Sequence, residues 1–303
     1  TNGGLDNNTN SGNSDFFLVK YNSSGVKQWT QQLGTSSDDY GNGVAVDSSD
    51  NIYVTGSTEG GLDNNTNSGS GDIFLVKYNS SGTKQWTQQL GTSSTDYGNG
   101  IAVDSSDNIY ITGQTLGGLD NNTNSGNSDL FLVKYNSSGT YQWTQQLGTT
   151  SMDRGHGVTV DSSDNIYVAG DTSGGLDNNT NSGNSDIFLV KYNSSGTYQW
   201  TQQLGTSGSD YGRGVAVDSS DNIYVAGTSG NTDIILVKYN SSGTYQWSQQ
   251  FGTSSTDSGN GIAVDSSDNL YITGNTSGGL DNNTNSGNSD IFLVKYNSDG
   301  VKQ

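Results

Sequence analysis

The residues of this 303-residue chain that could do chemistry are mostly aspartates and asparagines, and they come in two recurring sets. The first reads Asp-x-Asn-x-Asn. It occurs at Asp6, Asn8 and Asn10; Asp63, Asn65 and Asn67; Asp120, Asn122 and Asn124; Asp177, Asn179 and Asn181; and Asp281, Asn283 and Asn285. Oxygen ligands at every second position of a Gly-containing loop can wrap a hard cation, so these are candidate Ca2+ ligands. A later aspartate (Asp15, Asp72, Asp129, Asp186, Asp290) could close the shell. The loop departs from an EF-hand: Ser stands sixth where Gly is expected, and the acidic residue comes tenth, not twelfth. The competing reading is a polar loop held by Asx turns. One copy, AGTSGNTDIILVKY at 226–239, lacks the loop but keeps Asp233, which gives that aspartate a structural task where the strand begins.

The second set lies in Gly-Thr-Ser-Ser-x-Asp-Tyr-Gly-Asn-Gly. Its fixed acids are Asp39, Asp96, Asp153, Asp210 and Asp257. The next residue varies (Tyr40, Tyr97, Arg154, Tyr211, Ser258), and so does the one two further on (Asn42, Asn99, His156, Arg213, Asn260). Two readings stand: a ligand rim, or a capping loop whose Asp bonds backbone amides between blades. His156 is the only histidine, so no histidine pair or cluster can be built on it. Arg154, His156 and Arg213 come nearest to a break in the repeat. No isolated pair of acids breaks it, and the chain is not expected to be an enzyme.

Stepping from residues to elements, the tryptophans set the period. Trp29, Trp86, Trp143, Trp200 and Trp247 lie 57, 57, 57 and 47 residues apart. Such a period marks a repeat architecture. The unit holds four strand-like runs: A (43–47, GVAVD), B (51–55, NIYVT), C (72–78, DIFLVKY) and D (84–90, KQWTQQL). Each is rich in β-branched or aromatic residues and bounded by turn residues. Proline is absent, and no helical period appears. Four antiparallel strands per repeat predict an all-β fold, a β-propeller of four-stranded blades. Run C is continuously apolar because both faces of a blade pack on neighbours. The lysine of run C is expected to sit in a structural ion pair, or to snorkel along its stem. The tryptophan of run D is expected to pack blade on blade.

The runs number two before the first full unit and three after the last. Residues 1–303 are therefore expected to form a single propeller of five blades, with part of a six- or seven-bladed ring as the alternative. In the five-bladed reading, strands in 15–34 complete a blade with strands in 261–276. One C run is then spare, near 290–296 or 15–21, to pair within the ring or with another molecule. The A–B and C–D turns share one face and hardly vary. The B–C and D–A loops share the other and do vary, so that face is expected to carry function.

Net charge is −19 and the hydrophobic fraction 28%. So acidic a chain disfavours nucleic acid and anionic membranes. Cysteine is absent, which excludes disulfides and thiol chemistry, and no apolar run approaches a membrane span. Richness in Asn, Ser, Thr and Gly fits an extracellular or cell-surface protein, and the start within a repeat suggests a piece of a larger precursor.

The segments GVAVDSSDNIYVTG and DIFLVKYNSSGTKQWTQQLG resemble the bacterial β-propeller repeat called SBBP and, more distantly, an NHL-type blade. The resemblance spans the whole chain. It implies an exported or surface protein and a propeller, commonly seven-bladed, and brings no catalytic residues. Two functions are carried forward. One is a non-enzymatic structural or adhesive module that assembles with itself, as a homo-oligomer or filament, through the spare strand. The other is a multivalent lectin-like binder of surface glycans or proteins on the B–C/D–A face.

Overall fold

The computed structural model describes residues 1–230 and 232–303. The chain divides into two compact units, Thr1–Leu147 and Gly148–Gln303. The first holds β1 (Phe16–Tyr21) and β2 (Lys27–Leu33), then β3 (Asp39–Val46), β4 (Ile52–Thr58), β5 (Asp72–Tyr78) and β6 (Lys84–Leu90), then β7 (Asp96–Val103), β8 (Ile109–Thr115), β9 (Asp129–Tyr135) and β10 (Tyr141–Leu147). The second holds β11 (Asp153–Val160), β12 (Ile166–Thr172), β13 (Asp186–Tyr192) and β14 (Tyr198–Leu204), then β15 (Tyr211–Val217), β16 (Ile223–Ser229), β17 (Asp233–Tyr239) and β18 (Tyr245–Phe251), then β19 (Asp257–Val264), β20 (Leu270–Thr276) and β21 (Asp290–Tyr296). The fold is all-β, as expected. Each complete blade is a four-stranded antiparallel sheet in the order A-B-C-D; the fifth, β19–β21, has three strands, and β1–β2 form a two-stranded sheet.

One expected pairing is corrected. Strands 15–34 do not complete the sheet of 261–276. The edge of β20 is filled by β21, in register from Leu270↔Tyr296 to Thr276↔Asp290. The reason is local. β21 follows β20 through the same kind of loop that joins B to C elsewhere, and closing a short loop costs less entropy than recruiting a distant strand. The strands left over are therefore β1 and β2, not 290–296.

The A–B turn explains the regularity of the blades. In the first full blade, Asp47 accepts hydrogen bonds from Ser49 N (3.0 Å), Asn51 N (2.8 Å), Asn51 Nδ2 (2.9 Å) and the Tyr53 hydroxyl (2.9 Å). Asp50 closes the turn in the left-handed region (φ 62°), which aspartate tolerates better than most residues. Lys77 of β5 lies 3.7 Å from Asp47 and 5.0 Å from the Tyr53 ring centre, which fulfils the expected ion pair. The Lys77 ammonium also donates to Ser137 O in the next blade (3.1 Å). The pattern recurs at Asp161, with Ser163, Asn165 and Tyr167.

The core consists of slices between blades. In the first unit Tyr53, Ile73 and Leu75 pack on Ile109, Ile111, Phe131, Val133 and Tyr135. In the second, Tyr167, Ile187 and Leu189 pack on Ile223, Val225, Val237 and Tyr239. Alternate residues of one C strand thus face opposite neighbours, which is why the strand is apolar throughout. Gly82, at φ +84° in a C–D turn, sits on the Trp29 indole; a Cβ there would lie 2.9 Å from the ring. The same turn accepts bonds from Lys20 Nζ (2.9 Å) and Trp29 Nε1 (3.4 Å) at Ser80 O.

Burial alone would raise the Asp161 carboxyl, but the bonds from Asn165, Tyr167 and Ser163 outweigh it and hold it below its ordinary value. A depressed carboxyl stabilises the fold above its unfolded-state pKa, and that contribution is lost as pH falls through the folded-state value. Asp161→Ala is therefore expected to lower unfolding free energy by about 2–4 kcal/mol near neutral pH, with the gap from wild type narrowing in acid. Urea unfolding across a pH series checks it; a gap that does not narrow would mean that the charge on Asp161 is not what stabilises the turn.

Candidate ligand rim

The Asp-x-Asn-x-Asn residues of the B–C loops are engaged in hydrogen bonds and ion pairs within their own blade. Each loop is anchored by a buried leucine (Leu62, Leu119, Leu176, Leu280) opening a short 3₁₀ turn, Leu62–Asn64 in the first copy. Asp63 and Asn64 follow in the left-handed region, at φ 51° and 67°. Asp63 then pairs outward with Lys84 and accepts from the Thr87 hydroxyl. Asp6 does the same with Lys27 (2.5 Å) and Thr30, and Asp281 with Lys302. Asp120 and Asp177 instead accept from the hydroxyls of Tyr141 and Tyr198. Asn8, Asn65, Asn122, Asn179 and Asn283 each donate Nδ2 to the carbonyl of the loop leucine. Asn10, Asn67 and Asn181 donate to a carbonyl across the loop, Asn285 donates to Thr276 O, and Asn124 accepts from Gly126 N. These residues bond to the loop's own backbone and to side chains of strand D; in the first copy Asp6 and Asn8 both reach Thr30. Among the described residues no group of three or more His, Cys, Asp or Glu is placed to hold a metal.

The aspartate that opens each C strand closes the loop from inside. Asp72 accepts from Ser68 N (2.8 Å) and Gln89 Nε2 (3.0 Å), and Gln89 Oε1 receives Leu62 N (3.0 Å). This is the structural task that the loop-less copy implies, and there Asp233 still accepts from Gln250 (2.8 Å).

The D–A aspartates are capping residues. Asp39 Oδ2 accepts from Thr35 N (2.6 Å) and Thr35 Oγ1 (3.1 Å), and Oδ1 accepts from Thr58 Oγ1 (2.5 Å). Asp96 and Asp153 repeat this with Thr92 and Thr115, and with Thr149 and Thr172. Asp210 uses Thr206, Ser229 and Gly230 N, and Asp257 uses Thr253. All five are buried. Burial pushes the Asp39 and Asp96 carboxyls up, bonds from the threonines oppose it, and the nearby carboxylates of Asp15 and Asp72 add to the rise. The bonded donors lie within each loop and blade, so the caps hold their own blade.

The variable positions are where the repeat opens. Asn42, Asn99, His156, Arg213 and Asn260 each occupy the extra residue of a β-bulge in the A strand, between two glycines. A bulge re-aims the side chain it carries. Asn42 uses that freedom to donate to Gly98 O of the next blade (2.9 Å), and Asn260 donates to Asn275 (3.0 Å). Tyr40 and Tyr97 beside them are exposed.

The second unit departs from this pattern. Arg154 stands where Tyr40 and Tyr97 stand, directly opposite Asp171 across the β11–β12 ladder. Its Nη2 and Nε donate to Asp171 Oδ2 at 2.8 and 3.2 Å, and His156 Nε2 lies 2.6 Å from Oδ1. Asp171 is fully buried, while the Arg154 and His156 side chains are 29% and 22% exposed. The equivalents of Asp171 are Ser57, Gln114, Thr228 and Asn275, so this acid occurs once. Arg213 of β15 follows on the neighbouring blade. Its guanidinium and that of Arg154 lie 5.4 and 6.0 Å from the Tyr211 ring centre. Arg213 Nε is buried with no hydrogen-bond partner. The structure therefore gathers Arg154, His156, Tyr211 and Arg213 from the expected rim and adds Asp171. Asp171 was missed because it sits in a B strand, and only the cross-strand register shows that it faces Arg154.

The family model described as "Beta-propeller repeat", SBBP, matches residues 28–63, 85–120, 142–177, 199–235 and 246–281. Among curated proteins, an uncharacterized WD repeat-containing protein of Acanthamoeba polyphaga mimivirus is 28% identical over 231 residues, covering 60% of this chain and 17% of that protein. A regulatory protein, FlaEY, of Caulobacter vibrioides is 28% identical over 167 residues, 50% of this chain and 18% of its own length. The chain thus spans under a fifth of either relative. A solved Bacteroides caccae protein of unknown function superposes with a TM-score of 0.52 at 12% identity, over 96% of this chain and 94% of that one; this likeness concerns the fold alone.

Two measurements test this geometry. Because the loop carboxylates already pair with Lys or Tyr, about 1 mM Ca2+ is expected to leave the melting temperature where it is in EDTA; a clear rise with Ca2+ would mean that the loops rearrange around the ion. Asp171→Asn leaves the Arg154 guanidinium without its acid and is expected to cost about 1–3 kcal/mol in urea unfolding, the range for a partly exposed charged hydrogen bond.

Proposed function

We propose, from the premise that this chain belongs to the SBBP β-propeller repeat family, that it is a non-enzymatic structural and adhesive module outside the cell, and that it assembles with further copies of itself. One observation supports the assembly. In each unit one C strand exposes side chains whose repeat equivalents are buried. In the first unit, Phe17 and Tyr21 are 52% and 58% exposed, whereas their repeat equivalents Phe74 and Tyr78 are buried. In the second, Ile291 and Leu293 are 91% and 69% exposed, whereas Ile187 and Leu189 are buried.

The two patches are complementary. Inside the chain, residues of the Ile291/Leu293 type pack on residues of the Phe17/Tyr21 type in the following blade, as Ile73 and Leu75 do on Phe131 and Tyr135. A second copy placed head to tail would repeat that contact. Such heterologous contacts build rings or filaments. β1 also presents a strand edge with no partner in its own sheet, beside a cavity of about 400 Å³ lined by Leu18, Tyr21, Trp29, Val44, Val46 and Ile52. The non-enzymatic part rests on the rim aspartates Asp39, Asp96 and Asp153, whose oxygens are taken by threonine hydroxyls and backbone amides. The location outside the cell rests on composition.

Sedimentation over a concentration series tests the assembly. Wild type is expected to associate, and Ile291→Asp or Phe17→Asp to shift it to monomer without loss of the β-sheet circular dichroism signal. A wild-type chain that stays monomeric at every concentration would sink the assembly.

A further inference from the structure

We propose that Arg213, with the exposed part of Arg154 and with His156, forms a binding site for a small carboxylate-bearing ligand. The first ground is charge. The chain carries only two arginines and one histidine; Arg154 and His156 pair with the buried Asp171, and Arg213 lies with Arg154 near the Tyr211 ring. Asp171 accepts from Arg154 and His156, which leaves Arg213 without an acid among the described residues. A guanidinium presents paired donors whose geometry matches a carboxylate, and the bond is charge-assisted.

The second ground is the backbone. Arg213 and His156 occupy bulges, and the equivalent Asn42 uses its bulge to bond the next blade's Gly98 carbonyl. Arg213 has its Nε buried and unsatisfied instead. A buried donor without an acceptor costs free energy, and a ligand oxygen would remove that cost. Tyr211 holds both guanidinium groups on one ring, within the span of a small molecule.

The acidity of the chain does not defeat this. The interaction between exposed charges falls off over roughly 8 Å at physiological ionic strength, so the distant aspartates that make up most of the −19 count little against adjacent guanidinium groups.

Isothermal titration calorimetry of the full chain with glucuronate, acetate and glucose tests the site. Saturable binding of glucuronate and acetate, but not glucose, is expected. Arg213→Gln should weaken it about 10- to 100-fold, and Arg154→Gln less, with each variant first shown to melt cooperatively. Asp171→Asn supplies the sharpest readout. It frees Arg154 and should tighten carboxylate binding several-fold, an outcome that a purely structural cluster would not give. No saturable binding of either carboxylate, equal binding of glucose, or affinity unchanged by Arg213→Gln would each overturn the site.

Discussion

The carboxylate of the A–B turn is the constraint on which the blades depend. Asp47 collects two backbone amides, an asparagine side chain and the Tyr53 hydroxyl, and it faces Lys77. That one group ties strand A to strand B and orients the lysine of strand C, whose far end reaches the next blade at Ser137. The turn itself is stapled across blades, because Ser48 donates to Asp107 from its amide (3.0 Å) and its hydroxyl (2.9 Å). A charged acceptor that satisfies several donors is stronger than the same number of neutral bonds. The Tyr53 hydroxyl, held by this acceptor inside the core, is pushed far up in pKa by burial first and by the aspartate second.

With turns fixed this way, little apolar material is needed. A hydrophobic fraction of 28% would not fill one large core, but here the core is cut into slices a few side chains thick. Each slice is made by two sheets whose C strands lend alternate residues to opposite sides. The same economy makes an uncovered sheet face conspicuous. Ile291 and Leu293 are exposed, whereas their repeat equivalents Ile187 and Leu189 are buried.

The sequence was most legible where spacing carries the information. The tryptophan period and the four runs led to the strands, to the lysine ion pair and to the tryptophan seat under Gly82. It was less legible where register or backbone conformation decides. Asp-x-Asn-x-Asn suggests converging ligands, yet two successive left-handed residues, Asp63 and Asn64, turn the aspartate out toward Lys84. Spacing alone does not show that the aspartate lies in a 3₁₀ turn and not in an extended loop. Likewise, nothing in the spacing of Arg154 and Asp171 shows that they oppose each other, because a bulge lies in the ladder between their strands. Counting toward whole blades leaves either 290–296 or 15–21 as the spare C run; the short loop that brings β21 onto the edge of β20 decides for 15–21.

The copies also act as one another's controls. A position under a purely structural demand meets the same demand in every blade, and indifferent positions should vary without regard to one another. Asp38, Thr95, Met152, Ser209 and Thr256 vary in that second way, as do Glu59, Leu116, Ser173 and Ser277. Arg154, His156, Asp171 and Arg213 do not. Arg154 and Asp171 sit opposite each other with His156 bonded to the same acid, and Arg213 follows on the adjacent blade; Asp171 would be a buried unpaired charge without Arg154, at a cost that polar equivalents such as Ser57 or Thr228 avoid. Arg154, His156 and Asp171 thus depart from the repeat together, as one connected group of side chains.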